Sequence, residues 1–296
     1  MYDLIIIGSG VAGLSAAIYA RRFELKTLVL GELEGGTITL THLVENYPGF
    51  ESLSGFELAQ NILKHAKSLE AEIKSTVVEK VEKTSNGFLA KTTNEDFEAK
   101  SIIFATGTEH RKLEVKGAEK FTNKGVSYCA TCDAPFYKDK NVALVGGSDS
   151  AVKESLITAQ HAKKVTILYR GKKLRAEPIN IRRMEASKNI EAKCCVNIEE
   201  IYGAEKVEGV KLDNGEDLKL DGIFVEIGRL PRSDIAKELG VDLNEAGEIK
   251  IDRFARTNVP GVFAAGDITD ADWKQAITGA AEGAHAANQA FEFLQK

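Results

Sequence analysis

Two stretches of the chain share one pattern of apolar and polar positions. In the first, Leu4 to Ile7 run continuously apolar, a glycine-rich turn spans Gly8 to Gly13, and an alanine-rich amphipathic segment continues to Arg22. In the second, which starts at Asn141, an apolar run from Val142 ends at Val145, a turn spans Gly146 to Ala151, and a similar amphipathic segment follows. Short apolar runs bounded by turn residues predict buried strands, and the helical period after each turn predicts a helix. Thr27 to Leu30 and Val165 to Tyr169 supply a second strand to each. Further strands are predicted at Val77 to Val81, Phe88 to Thr93, Ser101 to Ala105, Glu191 to Val196, Val207 to Leu212 and Gly222 to Ile227. A last helix is predicted from about Lys274 to Leu294. The spacing of the two similar stretches far exceeds a solenoid period, so they predict two separate domains.

Both stretches read as the strand–turn–helix opening of a Rossmann-like, dinucleotide-binding fold, and the fold class is α/β with two such domains. Gly8-Ser9-Gly10-Val11-Ala12-Gly13 matches GxGxxG between a strand and a helix. Gly8 permits the tight turn, Gly10 lets the backbone approach a pyrophosphate, and Gly13 allows close packing of helix on strand. An acid is expected about 20 residues on to hold a ribose, and Glu32 and Glu34 stand there. Two later elements point to FAD at this first site. Ala105-Thr106-Gly107 closes a strand, and Gly266-Asp267 closes another. Asp267 would hold ribityl hydroxyls or serve as a turn acid. The amino end of the last helix, near Gln275 and Ala276, would face the flavin and stabilise negative charge arising on reduction.

The second turn, Gly146-Gly147-Ser148-Asp149-Ser150-Ala151, is looser, because Ser148 replaces the middle glycine and crowds a pyrophosphate. After its second strand come Arg170, Lys172, Lys173 and Arg175 in place of an acid. Such a cluster suits the 2′-phosphate of NADPH, although basic residues also populate solvated loops. Gly228, in Gly228-Arg229-Leu230-Pro231, ends another strand beside this site.

Cys129-Ala130-Thr131-Cys132 precedes Asp133. The spacing suits a redox disulfide, and Asp133, with a pKa raised by burial, would protonate a leaving thiolate or a flavin nitrogen, or else only turn the chain. A zinc site needs two more suitably spaced ligands, and no metal is expected. Cys194 and Cys195 fall in a predicted strand and read as buried structural thiols.

Composition narrows the function classes. The chain has 296 residues, is 43% hydrophobic and carries a net charge of -5, which argues against a nucleic-acid binder. No apolar run reaches the ~18–20 residues of a membrane span. With no secretory signal pattern and no disulfide framework, a cytoplasmic protein is expected.

The constellation of two nucleotide turns and an intervening CATCD resembles the low-molecular-weight bacterial and archaeal thioredoxin reductases, from Tyr2 nearly to the last residue. The matching segments include GSGVAG, EGG (Glu34 to Gly36), VENYPG (Val44 to Gly49), ATG, CATCD, GVFAAGD and KQAITGAAEG (Lys274 to Gly283). The resemblance implies a homodimer with a discontinuous FAD domain, 1–113 and 243–296, and an inserted NADPH domain, 114–242, that rotates during turnover. It implies that Gly8, Ser9, Gly10, Ala12, Gly13, Glu32, Gly36, Thr37, Asn46, Ala105, Thr106, Gly107, Gly266, Asp267, Lys274, Gln275 and Ala276 hold FAD. Gly146, Gly147, Ser148, Asp149, Ser150, Arg170, Arg175 and Gly228 are implied to hold NADPH. Electrons would pass from NADPH through FAD to the Cys129–Cys132 disulfide, and on to thioredoxin or a thioredoxin-like protein. Cys132 would be the thiol nearest the flavin, Cys129 the attacking thiol and Asp133 the acid. Three departures stand out. Thr37 replaces the usual glutamine, the usual triple glycine reads Gly146-Gly147-Ser148, and the usual phosphate clamp reads Tyr169-Arg170-Gly171 followed by Arg175. A reductase fed by reduced ferredoxin or NADH, or serving another thiol protein, therefore remains an alternative, and a non-catalytic flavin redox sensor is a third reading.

Overall fold

The computed structural model describes Met1 to Lys296. The chain forms two compact units, Met1–Glu109 with Leu230–Lys296, and His110–Arg229. At the two crossings the short strands Thr108–His110 and Arg229–Pro231 pair. Residues 230–242, grouped with the inserted domain on the resemblance, pack with the first unit. Ala236 and Val241 are buried in its core, which the charged appearance of that segment hides.

In the first unit, strand Tyr2–Ile7 lies between Thr27–Leu30 and Asp96–Phe104, parallel to both. Its residues alternate between two cores. Leu4 and Ile6 face one side with Leu14, Val29 and Ile103, while Ile5 and Ile7 face the other with Leu30, Phe104 and Ile268. A strand buried on both faces reads as an uninterrupted apolar run, as this one does. The neighbour Asp96–Phe104 is shared. Its first half pairs antiparallel with Gly87–Thr92, and its last residues pair parallel with Val262–Ala264. Ile7 is in register with Leu30 and Phe104, so the strands end together beside the glycine turn. Helix Val11–Arg22 packs on the terminal helix Ala276–Leu294 through small residues, since a Cβ on Gly283 would stand 2.1 Å from Ala12 O. Helix Gly55–Ser68, absent from the sequence reading, opens on a capping box between Ser54 and Glu57.

The second unit holds a five-stranded parallel sheet in the order Ile190–Cys194, Lys164–Tyr169, Asn141–Val145, Gly222–Val225, Val126–Ser127. Helix Asp149–Ala159 follows the central strand. A three-stranded antiparallel sheet, Ile198–Tyr202, Gly209–Leu212 and Asp217–Lys219, completes this unit. The expected strand Glu191 to Val196 stops at Cys194, and both Cys194 and Cys195 are exposed. The reading of these thiols as buried is therefore corrected. Cys195 adopts φ 61°, which breaks the strand and turns the pair outward.

Candidate active site

Around the first turn, contacts of the backbone itself dictate the glycines. Gly8 has φ +117°, and a Cβ there would stand 2.1 Å from Ala105 O. A Cβ on Gly13 would stand 1.9 Å from Gly8 O. Gly10 caps helix Val11–Arg22, and no side chain accepts from the helix's first N–H groups. Those donors suit an anion. Gly36, at φ +70°, closes over the turn, where a Cβ would stand 2.6 Å from Gly10 Cα. Buried Ser9 locks the approach, its Oγ donating to Leu33 O at 2.8 Å while Gly35 N donates to Ser9 O at 2.9 Å. Thr37 is exposed and begins the short 3₁₀ turn Thr37–Leu40. Glu34 pairs with Lys67 at 3.2 Å, and Glu32 is exposed just past the second strand.

Several other residues expected at the first site are tied together by hydrogen bonds. Thr106 Oγ1 donates to Arg232 O at 2.8 Å, and Gly107 takes φ +64°. Gly266 abuts the fingerprint helix, since a Cβ there would stand 2.8 Å from Ala12 Cβ. Lys274 pairs with Glu248 and donates to Asp267 O at 2.9 Å. Asn46 Nδ2 donates to Gln275 Oε1 at 3.0 Å, and Gln275 precedes the terminal helix, whose first residue is Ala276. Glu282, absent from the sequence reading, accepts from Gly266 N at 2.7 Å and from Thr269 Oγ1 at 3.1 Å. Burial pushes its carboxyl above the ordinary range. Its signal was an acid on the small-residue face beside Gly283. An uncapped helix start, a glycine cradle and an acid at the second strand fit a dinucleotide such as FAD.

In the second unit Cys129 and Cys132 form a disulfide. Cys132 N donates to Cys129 Sγ at 3.2 Å, and Asp133 N donates to Cys129 O at 3.1 Å. Ser127 organises the surroundings, its Oγ accepting from Cys129 N at 3.1 Å and donating to Asp133 Oδ2 at 2.6 Å. Asp133 is thus oriented by a hydroxyl that also holds the Cys129 backbone. Cys132 is exposed and Cys129 half-buried, while Phe136, 77% exposed, follows on the next turn.

The second glycine turn repeats the first with changes. Gly146 has φ +145°, and a Cβ there would stand 2.1 Å from Glu226 O. Gly147 packs under Tyr169, where a Cβ would meet Tyr169 Cβ at 3.2 Å. Ser148 caps the helix, its Oγ accepting from Ala151 N at 3.5 Å. Asp149, at the helix start next to Ser150, accepts from Glu177 N and Asn180 Nδ2, each at 2.9 Å, and from Lys153 at 2.8 Å. Burial pushes Asp149 up, and the bonds from Lys153, Asn180 and the Glu177 N–H more than offset it, leaving the carboxyl below its ordinary value. Arg175 N donates to Gly147 O at 2.7 Å, which anchors the basic loop to the turn. Arg170, Lys172, Lys173 and Arg175 are exposed there, and Gly228 accepts from Arg111 N at 3.0 Å.

Sequence reasoning missed a polar cluster around buried Glu226, behind this turn. His110 Nδ1 lies 3.3 Å from Glu226 Oε1, and Arg229 Nη2 lies 3.2 Å from His110 Nε2. Burial, then the neighbouring Glu226 carboxylate, push Glu154 up to about 9. Glu154 Oε2 is buried without a hydrogen-bond partner, which disfavours its ionised form. Glu154 also accepts from the Ala130 N–H, inside the CxxC. The readable signal was Glu226, an acid within the apolar run Ile223 to Ile227.

Two dinucleotide folds, one carrying a disulfide, define the class of disulfide oxidoreductases built on nucleotide sites. The family model for pyridine nucleotide-disulphide oxidoreductases matches residues 2–288. A thioredoxin reductase of Listeria monocytogenes is 38% identical over 303 residues, covering 100% of this chain and 95% of the relative. The crystal structure of Lactococcus lactis thioredoxin reductase (FR conformation) superposes with a TM-score of 0.96 at 38% identity, over 100% of this chain and 99% of that one. A ferredoxin-flavin thioredoxin reductase from Clostridium acetobutylicum aligns with a TM-score of 0.54 at 34% identity, over 99% and 98%. The chain belongs to the low-molecular-weight thioredoxin reductase family of the pyridine nucleotide-disulphide oxidoreductases. It is a flavoprotein oxidoreductase with a redox-active disulfide.

Proposed function

We propose that this protein is an NADPH-dependent thioredoxin reductase that reduces the disulfide of thioredoxin or a thioredoxin-like protein through Cys129 and Cys132. The observation that carries the reading is the Cys129–Cys132 disulfide with Asp133 held beside it by Ser127. Bound FAD would supply a two-electron relay between the nicotinamide and this disulfide. The residues of the first site from Gly8 to Ala276 bind and orient that cofactor. Once the pair is reduced, Cys129 attacks a sulfur of the partner's disulfide, forming a mixed disulfide and releasing one partner thiol. Cys132 then attacks Cys129 Sγ, which restores the pair and releases the second thiol. Asp133 supplies a proton to a leaving thiolate. Phe136, exposed beside the pair, offers an aromatic anchor to the partner. Leu33, Leu40, Leu43, Phe50 and Phe56, all exposed in the first unit, support the homodimer.

The test is anaerobic stopped-flow flavin reduction by NADPH, NADH and reduced ferredoxin, with thioredoxin turnover in parallel. NADPH is expected to bleach the flavin fastest. Cys129→Ser is expected to keep that bleaching and lose thioredoxin turnover on the order of 10³-fold or more. Retained turnover would remove Cys129 from its role. A second reading, with ferredoxin as donor, draws on Ser148 at the middle glycine and on Gly171 within the clamp. Bleaching by reduced ferredoxin but not by NADPH would select it.

A further inference from the structure

The Cys194–Cys195 pair lies outside the chemistry described so far. Successive side chains of a strand point to opposite faces, so neighbouring cysteines within a strand cannot meet. Here the strand ends at Cys194, and Cys195 takes the left-handed φ of 61° that non-glycine residues rarely adopt. This turn brings the thiols together, and the Cys195 thiol donates to Cys194 Sγ at 3.1 Å. Both residues are exposed. Backbone of this kind persists only where the surroundings enforce it. They do so here, because Cys195 N donates to Gly171 O and Val196 N to Tyr169 O, each at 3.3 Å, while Cys194 pairs in register with Tyr169.

We infer that Cys194 and Cys195 form a second dithiol site, which takes a small disulfide as its oxidant, closes to a vicinal disulfide and thereby weakens the nucleotide site. Cys194 is the first nucleophile, because it accepts the Cys195 S–H and so best carries negative charge. Its thiolate attacks one sulfur of the external disulfide; that S–S bond breaks, and one thiolate leaves and takes a proton. Cys195 then gives up its proton and attacks Cys194 Sγ, forming the Cys194–Cys195 bond and expelling the second thiol. Two protein thiols are oxidised and one external disulfide is reduced to two thiols.

The consequence for the nucleotide rests on the proposed NADPH reading. Tyr169, paired with Cys194, packs over Gly147, and the Cys195 N–H holds Gly171 between Arg170 and Lys172. Closing the pair moves the two residues that fix both ends of this segment. The position of the basic loop relative to the glycine turn then changes.

The test uses the wild-type holoenzyme, reduced and desalted, then treated with oxidised glutathione. Tryptic cleavage after Lys193 and Lys206 isolates Cys194 and Cys195 from Cys129 and Cys132. The 194–206 peptide is expected to lose two hydrogen masses and to carry no glutathione. A peptide that stays reduced, or keeps glutathione on either thiol, overturns the dithiol site. Cys195→Ser is expected to trap glutathione on Cys194; an unmodified Cys194 in that variant also counts against it. Calorimetric affinity for NADP⁺, a probe that cannot reduce the protein, should fall about threefold or more on oxidation and return with dithiothreitol. The double variant Cys194→Ser/Cys195→Ser should show no such dependence. An equal change in that variant assigns the effect to Cys129–Cys132 and overturns the coupling, as does unchanged wild-type affinity. If neither redox form binds NADP⁺, the donor reading and the coupling fall together, and the peptide mass still decides the dithiol site.

Discussion

The two glycine turns are the same device set to different tightness. In each, the first glycine presses on the carbonyl ending a neighbouring parallel strand, Ala105 O in one and Glu226 O in the other, with an added Cβ at 2.1 Å in both. The differences begin one step later. Gly13 leaves no room for a side chain, since a Cβ there would stand 1.9 Å from Gly8 O, whereas the second unit accommodates the Cβ of Ala151 at the matching place. Gly10 leaves the first helix start open, whereas Ser148 caps the second. Acids follow the first pair of strands and bases the second. The first turn thus leaves its helix start open and backbone-tight, and the second caps its helix start with a side chain and sets a basic loop beside it.

The comparison breaks most readily at Gly13. Gly13→Ala is expected to destabilise the first unit by about 3 kcal/mol or more, because a Cβ against backbone forces the helix outward. The protein should lose its flavin absorbance and unfold at lower temperature. Gly147→Ala, facing the Cβ of Tyr169 at 3.2 Å, should keep the flavin and cost far less. Equal losses in the two variants would end the claim that the turns differ in tightness.

Behind the turns, Glu226 stands where the first unit has Ala105, and its carboxyl helps to raise that of Glu154. Burial and Glu226 raise Glu154 to about 9 from 4.5, so the native state keeps a proton that the unfolded chain releases. The stability this proton contributes is whole below pH about 4.5 and drains as pH rises toward 9. Glu154→Gln cannot ionise. Its stability relative to wild type should therefore rise from pH 5 to pH 8, by at most about 1.4 kcal/mol per pH unit. Thermal melts running parallel across that range would show that Glu154 is already charged.

Charge at the second strand end gives a smaller effect. Arg175→Ala is expected to raise the Michaelis constant for NADPH about tenfold, the scale of one charge-assisted bond, and to leave that for NADH nearly unchanged. Equal shifts for both nucleotides would remove the 2′-phosphate from the argument.

How much of this was legible in the sequence depends on whether the signal is local. The fingerprint at Gly8, the CxxC and the two strand–turn–helix units are written in contiguous residues, and the fold class follows from them. Thr27–Leu30 shows both ends of its strand, because Lys26 and Gly31 bound its short run. What stayed hidden depends on tertiary pairing. Glu282 looks like a surface acid until Gly266 N is found against it. Glu154, one helical turn from Ser150, gives no hint that it reaches Ala130 N–H. Cys194 and Cys195 read as buried because they end a strand-like run, and only the left-handed backbone at Cys195 turns them outward. Helix Gly55–Ser68 could have been read from Ser54 and Glu57, whose spacing is a capping box.

The finest distinction between the turns rests on one hydroxyl. Ser148 Oγ accepts from Ala151 N at 3.5 Å, a long bond, and would crowd an anion approaching the helix start. Ser148→Gly removes both effects. Losing the cap costs only a few tenths of a kcal/mol, because glycine is itself a tolerated N-cap. The freed N–H groups and the added space favour the anion. The variant should melt within a degree or two of wild type, by the scaling of a few tenths of a kcal/mol on Tm, while binding NADP⁺ about two- to threefold more tightly. Calorimetry on the two proteins side by side decides it. Weaker binding would mean that the serine hydroxyl contributes to holding the phosphate, so that its side chain substitutes for the missing glycine rather than obstructing the site.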